Sequence, residues 1–378
     1  MSENNVINKK DMMDFLKHLS GERTLVAPVD TGKIIEYQKI AVDTGIPVSH
    51  GSPIIMDDRV SYKSIKEFYF PQTELMFTFD ENDVTDHSEM PGYVIFGARP
   101  CDLEALRVMS IVYTTGKYAD PFFQRRFEAN LLIGIACNEK KPECFCDKMG
   151  ISKDYSDFCD IFLVNIGDSY EIKYVSDKGS RQGDGSPVLS TERIPWKHSV
   201  ASNALSELSE VFKTGEPSPC LSIASLTQND TNMQQDCHPE DSKDLIALDT
   251  GKEDSAFFDI IDWQKVTETC KGCGICTYVC PTCYCFDFKD VTEKGTAKRY
   301  KCWDSCMYPR FTLHASGHNP REHRFERYRQ RVLHKYKYVP NLFDGAVACT
   351  GCGRCVRSCP VGINIKNIVK LINEAVEP

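Results

Sequence analysis

Cys270-Lys-Gly-Cys273-Gly-Ile-Cys276-Thr-Tyr-Val-Cys280-Pro281 and Cys349-Thr-Gly-Cys352-Gly-Arg-Cys355-Val-Arg-Ser-Cys359-Pro360 are two copies of one pattern, C-x2-C-x2-C-x3-C-P. The two-residue gaps let a backbone wrap three corners of an iron–sulfur cubane, and the glycines between them let amides approach the sulfurs. The fourth cysteine leads away, and its proline turns the chain. This is the spacing of bacterial two-cluster ferredoxins, in which the fourth cysteine ligates the other cluster. The expected ligands are therefore Cys270, Cys273, Cys276 and Cys359 for one [4Fe-4S] cluster, and Cys349, Cys352, Cys355 and Cys280 for a second. Structural zinc is the competing reading. Zinc sites, however, are usually assembled from separate C-x2-C pairs and need no such compact run ending in proline.

The rest of the composition agrees with intracellular metal chemistry. The chain has 378 residues and 19 cysteines, enough length to bury a core without disulfide staples. Its N-terminus, MSENNVINKKDM, has no apolar run, so a cytoplasmic location with reduced thiols is expected. The longest apolar stretches, such as 131–136, are too short to span a bilayer, so no direct membrane insertion is expected. A net charge of −9 without a basic tail gives little reason to expect nucleic acid.

Outward from the motifs, three regions are expected. Residues 1–177 alternate short apolar runs (24–28, 93–97, 131–136, 160–164) with helical periodicity at 9–19 and 102–112, which predicts an α/β or α+β domain. Residues 178–254 are rich in Ser, Asp, Gly, Thr and Gln, and read as a polar linker or insertion with one candidate helix at 199–212. Residues 255–378 are expected to form a mainly helical and loop-built two-cluster ferredoxin-like domain. Its helices are expected to start at Asp262 and to run over 364–375.

Cys101, Cys137, Cys144 and Cys146 form a further set. Cys101 follows one expected strand, Cys137 ends another, and Cys144 and Cys146 lie in the next loop. If the strands are neighbours, all four meet at the sheet edge where α/β proteins place sites. A third [4Fe-4S] cluster is the preferred reading, against zinc or metal-free buried thiols, with Arg99 and the helix N-terminus offsetting thiolate charge. Cys283, Cys285, Cys302 and Cys306 could cage metal or pack as small apolar groups, and stay outside the ligand set. Cys159, Cys220 and Cys237 read as free thiols. The basic stretch 321–337, with seven Lys or Arg and two acids, is either a solvated helix face, a dock for an acidic partner, or a source of charge beside a cluster. His314, His318, His323 and His334 read as ordinary histidines. No G-x-G-x-x-G follows a strand, so no nicotinamide or flavin Rossmann site is expected.

Several segments spread over the chain carry a wider likeness: Gly97-Ala-Arg-Pro-Cys-Asp-Leu103, Asp120-Pro121 with Arg125-Arg126, Cys144-Phe-Cys146, Cys280-Pro-Thr-Cys-Tyr-Cys-Phe286, Trp303-Asp-Ser-Cys306, Gly317-His-Asn-Pro-Arg321 and His334-Lys335. In these the sequence resembles the iron–sulfur subunit family that includes the beta subunit of cytoplasmic sulfhydrogenases and the corresponding iron–sulfur subunit of anaerobic sulfite reductase. The resemblance implies an oxidoreductase complex of anaerobic metabolism. A flavoprotein subunit reacting with NAD(P) would stand on one side, and a terminal catalytic subunit of hydrogenase, sulfite reductase or heterodisulfide reductase type on the other. This chain would pass electrons between them and make no bonds itself. The alternative is a reductase whose N-terminal Fe–S site acts on substrate directly, which requires an iron with an open or non-cysteine position.

Overall fold

The computed structural model describes residues 6–174 and 253–376, apart from short segments at 21–22, 42–45, 48–53, 58–59, 82, 89–91, 116–117 and 294. The candidate helix at 199–212, Cys220 and Cys237 lie outside the described residues.

The apolar runs of the N-terminal part become strands because their residues alternate between two buried faces. Strands β1 (Val6–Asn8), β2 (Thr24–Asp30), β3 (Ile35–Ala41), β4 (Ile46–Pro47), β7 (Tyr93–Ala98), β8 (Leu131–Ile135), β9 (Ile161–Asn165) and β10 (Ser169–Tyr174) form an eight-stranded sheet ordered β1-β10-β9-β8-β7-β2-β3-β4. Its centre, β2-β7-β8-β9, is parallel, and both edges are antiparallel. On one face Leu25, Ala27, Val29, Leu131, Ile133 and Ile135 pack against helix α1 (Met12–Ser20) through Met12, Phe15, Leu16 and Leu19. On the other face Val26, Ile95, Leu132 and Phe162 meet helices α2 (Pro100–Thr114) and α3 (Pro121–Ala129) through Leu103, Leu106, Met109, Phe123 and Phe127. Each large side chain so buried contributes about 1.5–3 kcal/mol. The α/β expectation for this region agrees with its sheet.

Besides its helices and loops, the C-terminal region carries a strand pair that the expectation of a mainly helical and loop-built domain did not include. Its longest regular elements include a hairpin, β11 (Phe286–Glu293) and β12 (Thr296–Trp303). This hairpin joins β5 (Thr73–Phe79) and β6 (Val84–Asp86) in a second sheet ordered β11-β12-β5-β6. The pairing of β12 with β5 is antiparallel and sets Lys301 opposite Glu74. There the Lys301 ammonium, 2 % exposed, sits 2.9 Å from Glu74 and 3.0 Å from Asp120, and Glu74 also pairs with Arg126. Phe70 and Trp303 stack at 6.0 Å, with Tyr284 and Phe286 against the same cluster. The helix expected from Asp262 is a single turn, Trp263–Val266, capped by the Asp262 carboxylate. The last helix, Ile365–Val376, lies within a residue of its expected bounds.

Candidate metal centres

Each C-x2-C-x2-C-x3-C-P run folds as a tight loop followed by one helical turn, Ile275–Tyr278 in the first and Arg354–Arg357 in the second. Two cavities lie between these runs. The first is lined by Cys270, Cys273, Cys276 and Cys359, with Cys355 and Arg331. The second is lined by Cys349, Cys352, Cys355 and Cys280, with Arg331 and Lys335. Amides face two sulfurs of the first cavity: Gly272 N–H donates to Cys270 Sγ at 3.4 Å, and Ile363 N–H to Cys359 Sγ at 3.3 Å.

The cavities suit an anionic occupant. Arg331 is 2 % exposed and lines both, and its Nε and Nη1 have no hydrogen-bond partner among the described residues. A buried guanidinium with idle donors is costly unless negative charge lies beside it. Lys335 Nζ donates to Thr282 Oγ1 and the Ala348 carbonyl, both at 2.9 Å, and burial of its ammonium is outweighed by Cys280 and Cys283, which hold its pKa above the usual lysine value. A π-helical turn, His334–Tyr338, interrupts the C-terminal end of the helix Arg324–Leu333, where Lys335, Tyr336 and Lys337 are buried. Burial pushes Cys276 up to about 11 and raises Cys352, whereas the neighbouring Cys283 holds Cys280 well below the usual thiol value. Metal binding would reverse the rise at Cys276 and Cys352, because iron takes thiolate.

The basic stretch 321–337 is thus divided, with Arg324 exposed and four of its charges turned inward. Arg327, Arg331, Lys335 and Lys337 are all buried, and Arg327 Nε donates to the Met307 carbonyl at 3.0 Å. Alternation of charge with Tyr and Val had left the inward face ambiguous. His334 lies in the same stretch but lines neither cavity. Burial, then Lys335 and Arg321, lower its pKa from 6.5 to about 4, and its Nε2 is 3.2 Å from Tyr284 Oη. The unfolded chain then binds a proton that the folded one refuses between pH 6.5 and about 4, so stability falls as pH drops through that window. Between pH 7 and pH 5 the wild type should lose about 1–2 kcal/mol more than His334→Gln. Thermal unfolding at the two pH values measures this, and parallel losses in both proteins would refute it.

The N-terminal cysteines lie in one neighbourhood, where Cys146 feels Cys144 and Cys137, and Cys101 feels Cys146. Cys101 lies in the first turn of α2, just after β7; Cys137 follows β8; Cys144 and Cys146 lie in the loop beyond. All four are at the carboxyl ends of parallel strands. Burial, then Cys144 and Cys137, push Cys146 up to about 11, and burial, then Asp102, Cys352 and Cys146, raise Cys101. Their loop is docked on the second motif, where the Cys144 thiol donates to the Cys352 carbonyl at 3.4 Å and Phe145 N–H to the Gly351 carbonyl at 2.7 Å. Gly351 (φ +59°) and Gly353 (φ +70°) are required here. A Cβ would lie 2.5 Å from the Phe145 carbonyl at the first position and 2.6 Å from the Glu143 oxygen at the second.

Arg99 lies two residues before Cys101. Its guanidinium is bound to the carbonyls of Ala136 and Asp57. A cation beside Cys101 is Arg354 of the second motif, fully buried and bidentate to Asp102 at 2.6 and 2.8 Å. Lys66 was likewise not foreseen. It is buried over the Trp303 ring at 3.9 Å and donates to the Cys283 carbonyl at 2.9 Å. Neither had a local signal, since each partner is more than 200 residues away. Cys159 is buried in the core.

Paired cysteine-lined cavities bridged by a buried arginine belong to an iron–sulfur protein of the electron-transfer class. Residues 269–363 match the 4Fe-4S dicluster domain family, which supports two [4Fe-4S] clusters. Over most of its length the chain is similar to the sulfhydrogenase 2 subunit beta of Pyrococcus furiosus, with 29% identity over 313 residues, 82% of each chain. The resemblance to a sulfhydrogenase beta subunit read from the sequence is therefore borne out. No solved structure matches the chain. Among the described residues no helix is long and apolar enough to cross a membrane.

Proposed function

We propose that this chain relays single electrons within a cytoplasmic oxidoreductase complex, between a flavoprotein that reacts with NAD(P) and a terminal catalytic subunit of hydrogenase, sulfite reductase or heterodisulfide reductase type. The supporting observation is that each cavity gathers three cysteines of one motif and the fourth of the other, with Arg331 buried beside both. Cys270, Cys273, Cys276 and Cys359 would hold one [4Fe-4S] cluster; Cys349, Cys352, Cys355 and Cys280 would hold the second. Bound there, such clusters accept and release one electron each. Arg331 and Lys335 offset the thiolate charge, and the amides of Gly272 and Ile363 donate to sulfur, both of which favour the reduced state. Cys101, Cys137, Cys144 and Cys146 would hold a third [4Fe-4S] cluster as the port for the flavin. Four thiols there leave no open iron position, which weighs against direct reduction of a substrate at that site.

Anaerobically purified protein should contain about eight iron and eight acid-labile sulfide per chain from two clusters, and about twelve of each with the third. Zinc without sulfide would overturn the reading. Cys280→Ala should remove about four iron and damage the paramagnetic signal of the Cys349, Cys352 and Cys355 site. Damage confined to the first-motif signal would rule out the crossing. Cys144→Ala or Cys146→Ala should likewise lower the iron by about four; unchanged iron would make the N-terminal thiols core residues.

A further inference from the structure

Cys285 and Cys306 stand outside all three ligand sets, yet the fold brings them together. Phe286 and Trp303 are register partners at the open end of the β11–β12 hairpin, and one step further Asp304 N–H donates to the Cys285 carbonyl at 2.9 Å. The buried Ser305 hydroxyl then lies 2.8 Å from Thr277 Oγ1 and accepts the Met307 N–H at 3.1 Å. That turn folds Cys306 back toward Cys285, and each thiol is the largest influence on the acidity of the other. Cys283 is engaged elsewhere, its thiol beside Cys280 and its carbonyl accepting from Lys66. Cys302 is the cross-strand partner of Asp287 within the hairpin.

The pair is asymmetric. Cys285 is half-buried and Cys306 is buried. The influence of Cys306 outweighs burial at Cys285 and, with Lys335 and Lys66, lowers its pKa below the usual thiol value, which favours the thiolate there. Cys285, then burial, raise Cys306 in turn. An accessible thiolate next to a protected thiol is the arrangement of an attacking and a resolving cysteine.

We propose that Cys285 and Cys306 form a redox-active dithiol that reduces small organic disulfides, with Cys285 attacking and Cys306 resolving. Cys285 Sγ bonds to one sulfur of the disulfide RS–SR, the S–S bond breaks, and RS⁻ leaves and takes a proton from solvent. Cys306, giving its proton to solvent, then attacks Cys285 Sγ, expels the second RS⁻ and closes the Cys285–Cys306 disulfide. The substrate gains two electrons and two protons, and the dithiol loses the same. A dithiol reductant returns the pair by the reverse exchange. None of these steps depends on metal at Cys280.

The test uses the full chain under anaerobic conditions, with glutathione disulfide as the probe. After incubation, an acid quench and alkylation, chymotryptic peptides are mapped without reduction; cleavage after Tyr284 and Trp303 separates Cys285 from Cys283 and Cys306 from Cys302. The expected product is a Cys285–Cys306 cross-link in most chains, absent after dithiothreitol. In Cys306→Ser the attack should stop half-way, leaving a glutathione adduct on Cys285 in at least tenfold excess over Cys283 and Cys302. Iron and sulfide content should equal wild type in Cys285→Ser and Cys306→Ser. No cross-link in the wild type, or an adduct equally spread over the other thiols, would overturn the proposal. Loss of iron or zinc from either variant would do so as well, by making the pair metal ligands. Because the wild-type peptide map does not require bound iron, it stays decisive even if the cluster assignment fails.

Discussion

Asp102→Ala should lower the apparent melting temperature of the anaerobic protein by about 5–10 °C, corresponding to about 3–5 kcal/mol. Asp102 and Arg354 are both buried, and the guanidinium forks across the carboxylate while its Nε donates to the Ser61 carbonyl at 3.0 Å. Removing the carboxylate strands a positive charge in the interior, and that desolvation cost is much larger than the net contribution of the pair. The double variant Asp102→Leu/Arg354→Met should therefore recover a large part of the loss. The position of the pair gives the measurement a second value. Arg354 belongs to the second cysteine motif and Asp102 follows Cys101, so the ion pair ties the two cysteine sets together. A melting temperature within about 2 °C of wild type for Asp102→Ala would mean that the pair is not buried as described.

Gly351→Ala is the second large effect, expected at about 2–4 kcal/mol with release of the Cys144–Cys146 loop. The residue has φ +59°, which disfavours any Cβ by about 1–2 kcal/mol. Here the Cβ would also meet the carbonyl carbon and oxygen of Phe145 at 2.5 Å, and a backbone neighbour cannot rotate away. The Phe145 N–H to Gly351 carbonyl bond would open with it. Gly362→Ala is the matched control: its φ is +71°, but nothing lies within 4 Å of its Cβ, so it pays for conformation alone. Amide hydrogen exchange at Phe145 and the melting temperature read the difference. Equal behaviour of the two variants would show that the loop is not seated on the motif.

Some of this was legible in the chain because it is encoded over short distances. The strands at 24–28, 93–97, 131–136 and 160–164 were readable since runs of apolar residues that feed two buried faces announce a central parallel strand. The final helix was readable from its period, and the cysteine motifs from spacings that hold one loop around one cubane. The hairpin 286–303 did carry a signal, an alternation of Phe, Val, Thr and Tyr with charge on either side of a glycine, but cysteines on both flanks drew the reading toward metal.

By itself the sequence determined the class of chemistry, through the repeated C-x2-C-x2-C-x3-C-P pattern, and the α/β character of the N-terminal region. Local backbone geometry and burial period are properties of neighbours in the chain, so a sequence exposes them. Only the tertiary structure decided which charges face inward, since Arg331 and Lys335 differ from solvated basic residues solely by what packs over them. It also decided that β12 pairs with β5, that Arg354 meets Asp102, and that Lys66 reaches the Cys283 carbonyl. These are contacts between segments more than 200 residues apart, selected by the joint burial of two surfaces, and nothing local to either segment specifies its partner.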